Sequence, residues 1–344
     1  MIKRRSVTIA EMARLLGVSA ATVGNALNGK GQISPGMVEK VRNLARELNY
    51  TPNLAARSLR TNVKDAVGVL ITGDIVSPWY TQLISHLEEK LSARQQTIML
   101  SLGKNDPDKE MHCLQNFLGS RVSGVIAGPV FGNAEFAPVL EFMENDLPLV
   151  LFNCLEDLPA NYVAIDLCVG AEIAVEYLVN NNHRRICYFS CPPSEEKYPN
   201  SRYTGFMNAV RKYGLHKGEY SILYGNGNRL AGMETMTKLL RQDGREKLPT
   251  ALFCHNDEVA LGALQVIHQA GLKVPEDISL IGFDDINEAA LSLPALTTIG
   301  GVMDELAGKL VDTLFQPRSR MDSHVKYKVL PRLIERNSVR KIHS

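Results

Sequence analysis

The chain has 344 residues, of which 45% are hydrophobic and 22% charged, and its net charge is +1. That length predicts two domains with an appendage, and the composition gives each a packable core, which excludes the disordered class. No run of 18 apolar residues is present, and Met1 to Arg5 leads into polar sequence rather than an apolar stretch, so the expectation is a soluble, cytoplasmic protein without membrane span or secretory signal.

The charge is unevenly placed. Residues 1–60 hold ten Lys or Arg against three Asp or Glu, a net of +7, while the remainder carries −6. A small basic head on an acidic body is what a nucleic-acid reader joined to another module looks like. Six cysteines (113, 154, 168, 187, 191 and 254) form no CxxC pair, and most stand in apolar runs such as Ile186-Cys187-Tyr188-Phe189. Reduced, buried thiols are expected, and with no HExxH among the histidines neither a metal nor a cofactor is implied.

In chain order, Thr8-Ile9-Ala10-Glu11 reads as a capping box, with Thr8 and Glu11 exchanging side-chain to amide hydrogen bonds. Ile9, Met12, Ala13 and Leu16 form one apolar stripe of a short helix, which Gly17-Val18 ends. Ser19 can cap a second helix to about Leu27, with Val18, Val23, Ala26 and Leu27 turned inward. After the loop Asn28-Gly29-Lys30-Gly31, Ser34 at the cap and Pro35 at the first helical position start a third helix, which Val38, Val41, Leu44, Ala45 and Leu48 line to about Asn49. Three short helices with a glycine turn between the first two describe a helix-turn-helix unit, whose second helix enters the major groove. Ala20, Ala21 and Asn25 then face base edges, and Ser19 and Thr22 stand where phosphates pass. A three-helix bundle that binds protein is the alternative.

From Ala66 onward strands alternate with helices. Strands are expected at 66–71, 97–101, 124–127, 148–152, 185–189, 220–223, 251–254 and 278–282, with helices such as 80–93 and 108–118 between them. This rhythm implies parallel sheets covered by helices, in two series and hence two lobes. Enzyme motifs are missing. The nearest approach to GxGxxG, Gly225 to Leu230, ends in leucine, and no GxSxG elbow or P-loop occurs.

The run Val7 to Ser19, then Ala21-Thr22-Val23, Leu27-Asn28 and Leu48 to Asn53, continuing through Ala55-Ala56-Arg57-Ser58-Leu59-Arg60, resembles the head and hinge of lactose-repressor (LacI/GalR) family regulators. Body phrases extend the likeness: Ser77-Pro78-Trp79-Tyr80, Gly205-Phe206, Asn256 to Leu264 and Pro275 to Asp285. The resemblance implies a multidomain chain: an all-α helix-turn-helix head at 1–50, a hinge helix and linker at 51–65, and an α/β two-lobed periplasmic-binding-protein-like core at 66–344. It also implies DNA contacts from Thr8, Ser19, Ala20, Ala21, Thr22, Asn25, Asn28, Asn53, Ala56 and Leu59, the last as a minor-groove wedge. The family often shows Ser-Arg where this chain has Gly24-Asn25. Asparagine favours adenine where arginine favours guanine, so an altered operator is expected there.

In the core, the same resemblance nominates Trp79, Tyr80, Asn153, Arg202, Asn256 and Asp284 to hold a small-molecule effector, a sugar or sugar derivative. Each has a structural alternative: Trp79 as core filling, Asp284 as a helix cap, and Asn153 where relatives often carry Asp. His255 beside Asn256 is either a lining residue or a satisfied histidine. The C-terminal residues 330–344 lack leucine heptads, and the implied assembly is a homodimer on a palindromic double-stranded operator. The expected function is a ligand-controlled repressor of carbohydrate-utilisation genes. Two alternatives stand beside it: a cytosolic sugar-binding protein, and a repressor using a nucleobase-type corepressor.

Overall fold

The computed structural model describes residues 7–29, 31–48, 50, 65–73, 75–129, 137–152, 159–192, 201–242, 247–317 and 324–342. They fall into two compact units, Met1–Lys64 and Asp65–Ser344.

In the first unit, α1 (Ile9–Leu16) opens on the capping box: the Thr8 amide donates to Glu11 Oε2 over 3.0 Å and the Glu11 amide to Thr8 Oγ1 over 3.2 Å. Gly17 closes it in the left-handed region at φ 66°, which a side chain would resist. The helices α2 (Ala20–Asn28) and α3 (Pro35–Glu47) follow. Ser19 caps α2 through Thr22, as expected, but Ser34 makes no side-chain cap bond. Ser34 still holds the cap position through its backbone, its carbonyl accepting from the Met37 and Val38 amides over 3.0 and 3.1 Å, and Pro35 takes the first helical position. Met12, Ala13, Val23, Ala26 and Val41 are buried together, so each helix gives its apolar stripe to one small core.

The second unit holds two six-stranded sheets. The first contains β1 (Ala66–Ile71), β2 (Thr97–Leu102), β3 (Val125–Ala127), β4 (Leu149–Leu151), β5 (Asn161–Ile165) and β11 (Lys326–Val329), in the order β11-β5-β4-β3-β1-β2 and parallel throughout. The helices α4 (Pro78–Ser92), α5 (Pro107–Gly119), α6 (Ala137–Met143) and α12 (Met303–Leu314) belong to this lobe's part of the chain order or to its core. The second sheet runs β12-β10-β9-β8-β6-β7, from β6 (Ile186–Ser190), β7 (Tyr220–Tyr224), β8 (Ala251–Cys254), β9 (Ser279–Phe283), β10 (Thr297–Gly300) and β12 (Arg332–Ile334). Its helices are α7 (Leu167–Asn180), α8 (Arg202–Lys212), α9 (Arg229–Gln242), α10 (Asp257–Gln269) and α11 (Asn287–Leu291). One strand departs from the parallel order: β12, which follows β11 of the other sheet after two residues, pairs antiparallel with β10.

The chain crosses between lobes three times, after β5, after β10 and after β11. The middle crossing returns α12 to the first lobe, where Leu306, Leu310 and Leu314 pack with Val67, Ile126 and Val163. The lobes are therefore joined by three short stretches of chain and not by one linker, an arrangement that permits relative motion. Among the described residues, no helix is long and apolar enough to cross a membrane.

Candidate functional site

The head presents its second helix outward. Val23 and Ala26 anchor α2 in the core, whereas Ala20, Ala21 and Asn25 are exposed and Thr22 is half-buried. Ala21 and Asn25 stand one turn apart on the same face. Ser19 Oγ accepts from the Thr22 amide at 3.0 Å and lies 2.9 Å from Thr22 Oγ1, which fixes both hydroxyls beside the free N–H groups of the helix start. Such a terminus suits a phosphate. Thr8 does the equivalent work on α1. Asn28 closes α2. Asn53, Ala56 and Leu59, together with the hinge expectation, lie outside the described residues.

The second constellation sits at the carboxyl edge of the second sheet. Arg202, first residue of α8, reaches Asp284, which follows β9: Nη2 donates to Oδ1 over 2.9 Å, with the two side chains only 13% and 12% exposed. The guanidinium also lies 4.2 Å over the Phe283 ring, and its Nη1 is 3.3 Å from Nε2 of His255, which follows β8. Asp284 takes φ 108° and Asp285 φ 54°, a strained turn held from behind by Arg336, whose Nη2 donates to Asp285 Oδ1 over 2.6 Å. Burial lifts the Asp284 carboxyl to about 6 against the pull of Arg202. Burial, then Arg202, holds His255 well below the ordinary histidine range, so its ring is neutral at pH 7.

Tyr80 brings the first lobe into this group. It stands in the first turn of α4, and its phenol is pushed up to about 12, by burial first and then by the charge of Asp284 on the other lobe. Tyrosine and carboxylate therefore share one electrostatic neighbourhood across the lobe boundary. Trp79 behaves differently. It is 8% exposed, packs in the core with Leu83 and Phe152, and meets Tyr80 edge-on with ring centroids 5.1 Å apart. The core-filling alternative describes it, and it stands behind Tyr80 instead of beside Arg202. Asn256 is committed on both sides: Oδ1 caps α10 by accepting from the Val259 amide, and Nδ2 donates to the Gly227 carbonyl over 2.8 Å. Asn153 lies outside the described residues.

One residue of this neighbourhood escaped the sequence reading. Asp257 is fully buried, accepts from Thr298 Oγ1 at 2.6 Å and from the Ile286 amide at 3.0 Å, and so ties β10 and the loop after Asp285 to α10. Its only sequence signal is an acid in the first turn of a helix, which usually means an exposed residue at a dipole. Among the described residues, no group of His, Cys, Asp and Glu is arranged to hold a metal ion.

The chain thus carries a helix-turn-helix head and a two-lobed core with a polar cluster at the strand ends of one sheet. Residues 8–53 match the bacterial regulatory proteins of the lacI family, and residues 175–339 match the periplasmic binding protein-like domain. The HTH-type transcriptional repressor PurR of Histophilus somni (strain 129Pt) is 32% identical over 97% of this chain and 99% of its own length. Catabolite control protein A of Priestia megaterium is 32% identical over 96% of this chain and 98% of its own. The crystal structure of the lac repressor dimer bound to operator and the anti-inducer ONPF superposes with a TM-score of 0.84 at 25% identity, covering 98% of this chain and all of that one. The chain belongs to the lacI family and is a DNA-binding transcriptional repressor of that family, not an enzyme.

Proposed function

We propose that the chain acts as a cytoplasmic homodimer that holds a palindromic operator through its heads, with a small molecule between the lobes of the core setting operator affinity. The observation that carries this reading is the Arg202–Asp284 pair at the carboxyl edge of one sheet, with Tyr80 of the other lobe close enough to feel the carboxylate. An effector seated there contacts both lobes, and an effector that binds one lobe arrangement more tightly than another shifts the population of dimers able to dock on DNA. Residues 51–65 serve as the hinge that docks, with Asn53, Ala56 and Leu59 at the minor groove.

A sugar suits the chemistry. The Asp284 carboxylate can accept from one hydroxyl while the Arg202 guanidinium donates to its neighbour, and the Tyr80 ring offers an apolar face. Support for this mode also comes from the related lac repressor, seen with operator and a small anti-inducer together. A nucleobase corepressor is the second reading. It is favoured by one observation: the chain matches the repressor PurR of Histophilus somni (strain 129Pt) over nearly its whole length.

Titration of the full chain with sugars, sugar phosphates and nucleobases, followed by tryptophan emission, tests the proposal. Trp79 is the sole tryptophan and its edge contact with Tyr80 couples it to the site. A saturable change with one class, abolished in Arg202→Gln, supports the site and names the class. Equal responses in wild type and variant would place the ligand elsewhere.

A further inference from the structure

His255 makes one contact that fixes its chemistry. Its Nε2 faces Arg202 Nη1 at 3.3 Å, and arginine has only donors, so Nε2 is the accepting, unprotonated nitrogen. The ring is held neutral by burial and by the adjacent guanidinium, which leaves its single N–H on Nδ1. That Nδ1 is shielded from solvent and has no hydrogen-bond partner among the described residues, and Nε of Arg202 is in the same condition. A buried donor without an acceptor is costly, and two on one contacting pair of side chains form a deficit that a bound molecule can relieve. Both residues lie beside Asp284: Arg202 pairs with it, and His255 follows β8, the strand next to β9.

We propose that His255 is a specificity-determining residue of the effector site, donating Nδ1–H to a hydrogen-bond acceptor oxygen or ring nitrogen of the small molecule bound beside Arg202. The inference rests on the reading that the effector occupies this cleft. It adds that the effector must bring an acceptor to a site whose carboxylate already serves its donors. Arg202 has two tasks on this view: it pairs with Asp284, and it sets the histidine tautomer.

The test uses the full chain and calorimetric titration with ribose, glucose, glucose 6-phosphate, hypoxanthine and unsubstituted purine. Wild type is compared with His255→Phe, which keeps a ring of similar size without a donor, and with His255→Asn, whose amide can replace the Nδ1 donor. The expected result is that the probe bound by wild type loses about tenfold or more in affinity with phenylalanine and recovers to within about threefold with asparagine. If hypoxanthine is that probe, purine binding to wild type as weakly as hypoxanthine binds the phenylalanine variant identifies the oxygen as the acceptor, and purine binding as tightly as hypoxanthine identifies a ring nitrogen. If a sugar is, the phosphate arm shows whether an anionic oxygen is preferred. Undiminished affinity in His255→Phe would overturn the inference while leaving the cleft standing. Silence of wild type towards every probe would count against the cleft reading and take this inference with it. Nitrogen-15 spectra of histidine-labelled protein, with the His255 signals assigned by their loss in His255→Phe, read the tautomer directly. A protonated Nε2 would overturn the proposal whatever the affinities.

Discussion

Removing the buried acceptor at Asp257 is the sharpest test of how the site is held. Its two oxygens serve two donors that have no route to water: Thr298 is 0% exposed and Ile286 1% exposed. Asp257→Ala strands both, at about 1–3 kcal/mol each. The carboxyl's own burial, which pushes its pKa well above the usual carboxylate range with Asp284 adding to it, offsets part of this. A net loss of about 2–4 kcal/mol follows. Asp257→Asn keeps one accepting oxygen and turns an NH2 towards the other donor, so it should cost about 1–3 kcal/mol. Gly282 leaves the room for Oδ1, since any β-carbon there would collide with it, and the amide has no space to turn aside. Urea unfolding of the full chain at one fixed protomer concentration measures both, the concentration being held because dimerisation contributes to stability. An alanine variant within about 0.5 kcal/mol of wild type would refute the reasoning, since losses that small are typical of surface sites.

Three further outcomes are expected. Asn25→Arg should move operator preference from adenine towards guanine at the contacted position, by about 1–3 kcal/mol of discrimination, as read by selection from randomised sites; an unchanged preference would remove Asn25 from the reading face. His183 is fully buried, donates Nε2–H to the Arg340 carbonyl at 3.0 Å, and has its pKa lowered, by burial first. The unfolded chain therefore takes up a proton that the folded one resists, so the stability advantage of wild type over His183→Gln should shrink as pH falls below about 6.5, in urea midpoints taken at pH 7.5 and 5.5. Gly205→Ala should destabilise by about 1–3 kcal/mol or more, because its β-carbon would run into the Cys168 carbonyl where α8 crosses α7; an unshifted thermal midpoint would contradict that packing.

Local signals were legible where one residue type does one job. The capping box at Thr8 and Glu11, the cap at Ser19, the glycine turn and the apolar stripes of the head all appear as the spacing predicts. The apolar runs of β1, β3, β6, β8 and β9 were equally clear, since strands buried on both faces read as unbroken hydrophobic sequence. Ser34 and Pro35 stand at the cap and first helical position as expected, though the Ser34 side chain makes no cap bond. Four strands were missed: the short buried β5 and β10, and the late strands β11 and β12, which are partly exposed and mixed with charge in Lys326–Val329 and Arg332–Ile334. The place of the late strands is set by pairing with β5 and β10, more than 30 residues away in sequence, and no local pattern carries that information.

The site divides in the same way. Arg202 at a helix start and Asp284 at a strand end were nominated by resemblance, and the structure pairs them. Trp79 was nominated by the same resemblance, yet an aromatic at the second position of a helix can turn either way, and here it packs inward against Phe152. Asp257 was invisible because its role depends on Thr298 and Ile286, two residues that only the folded sheet brings to it.

The central claim is that occupancy of the Arg202–Asp284 cleft controls the grip of the head on DNA. Fluorescence anisotropy of a selected operator duplex, titrated with the full chain with and without the probe that binds it, measures that coupling directly. The account predicts a change in operator affinity of about 5- to 150-fold on adding the probe to wild type, and none on adding it to Arg202→Gln. An operator affinity that stays constant while the probe saturates wild type would contradict it.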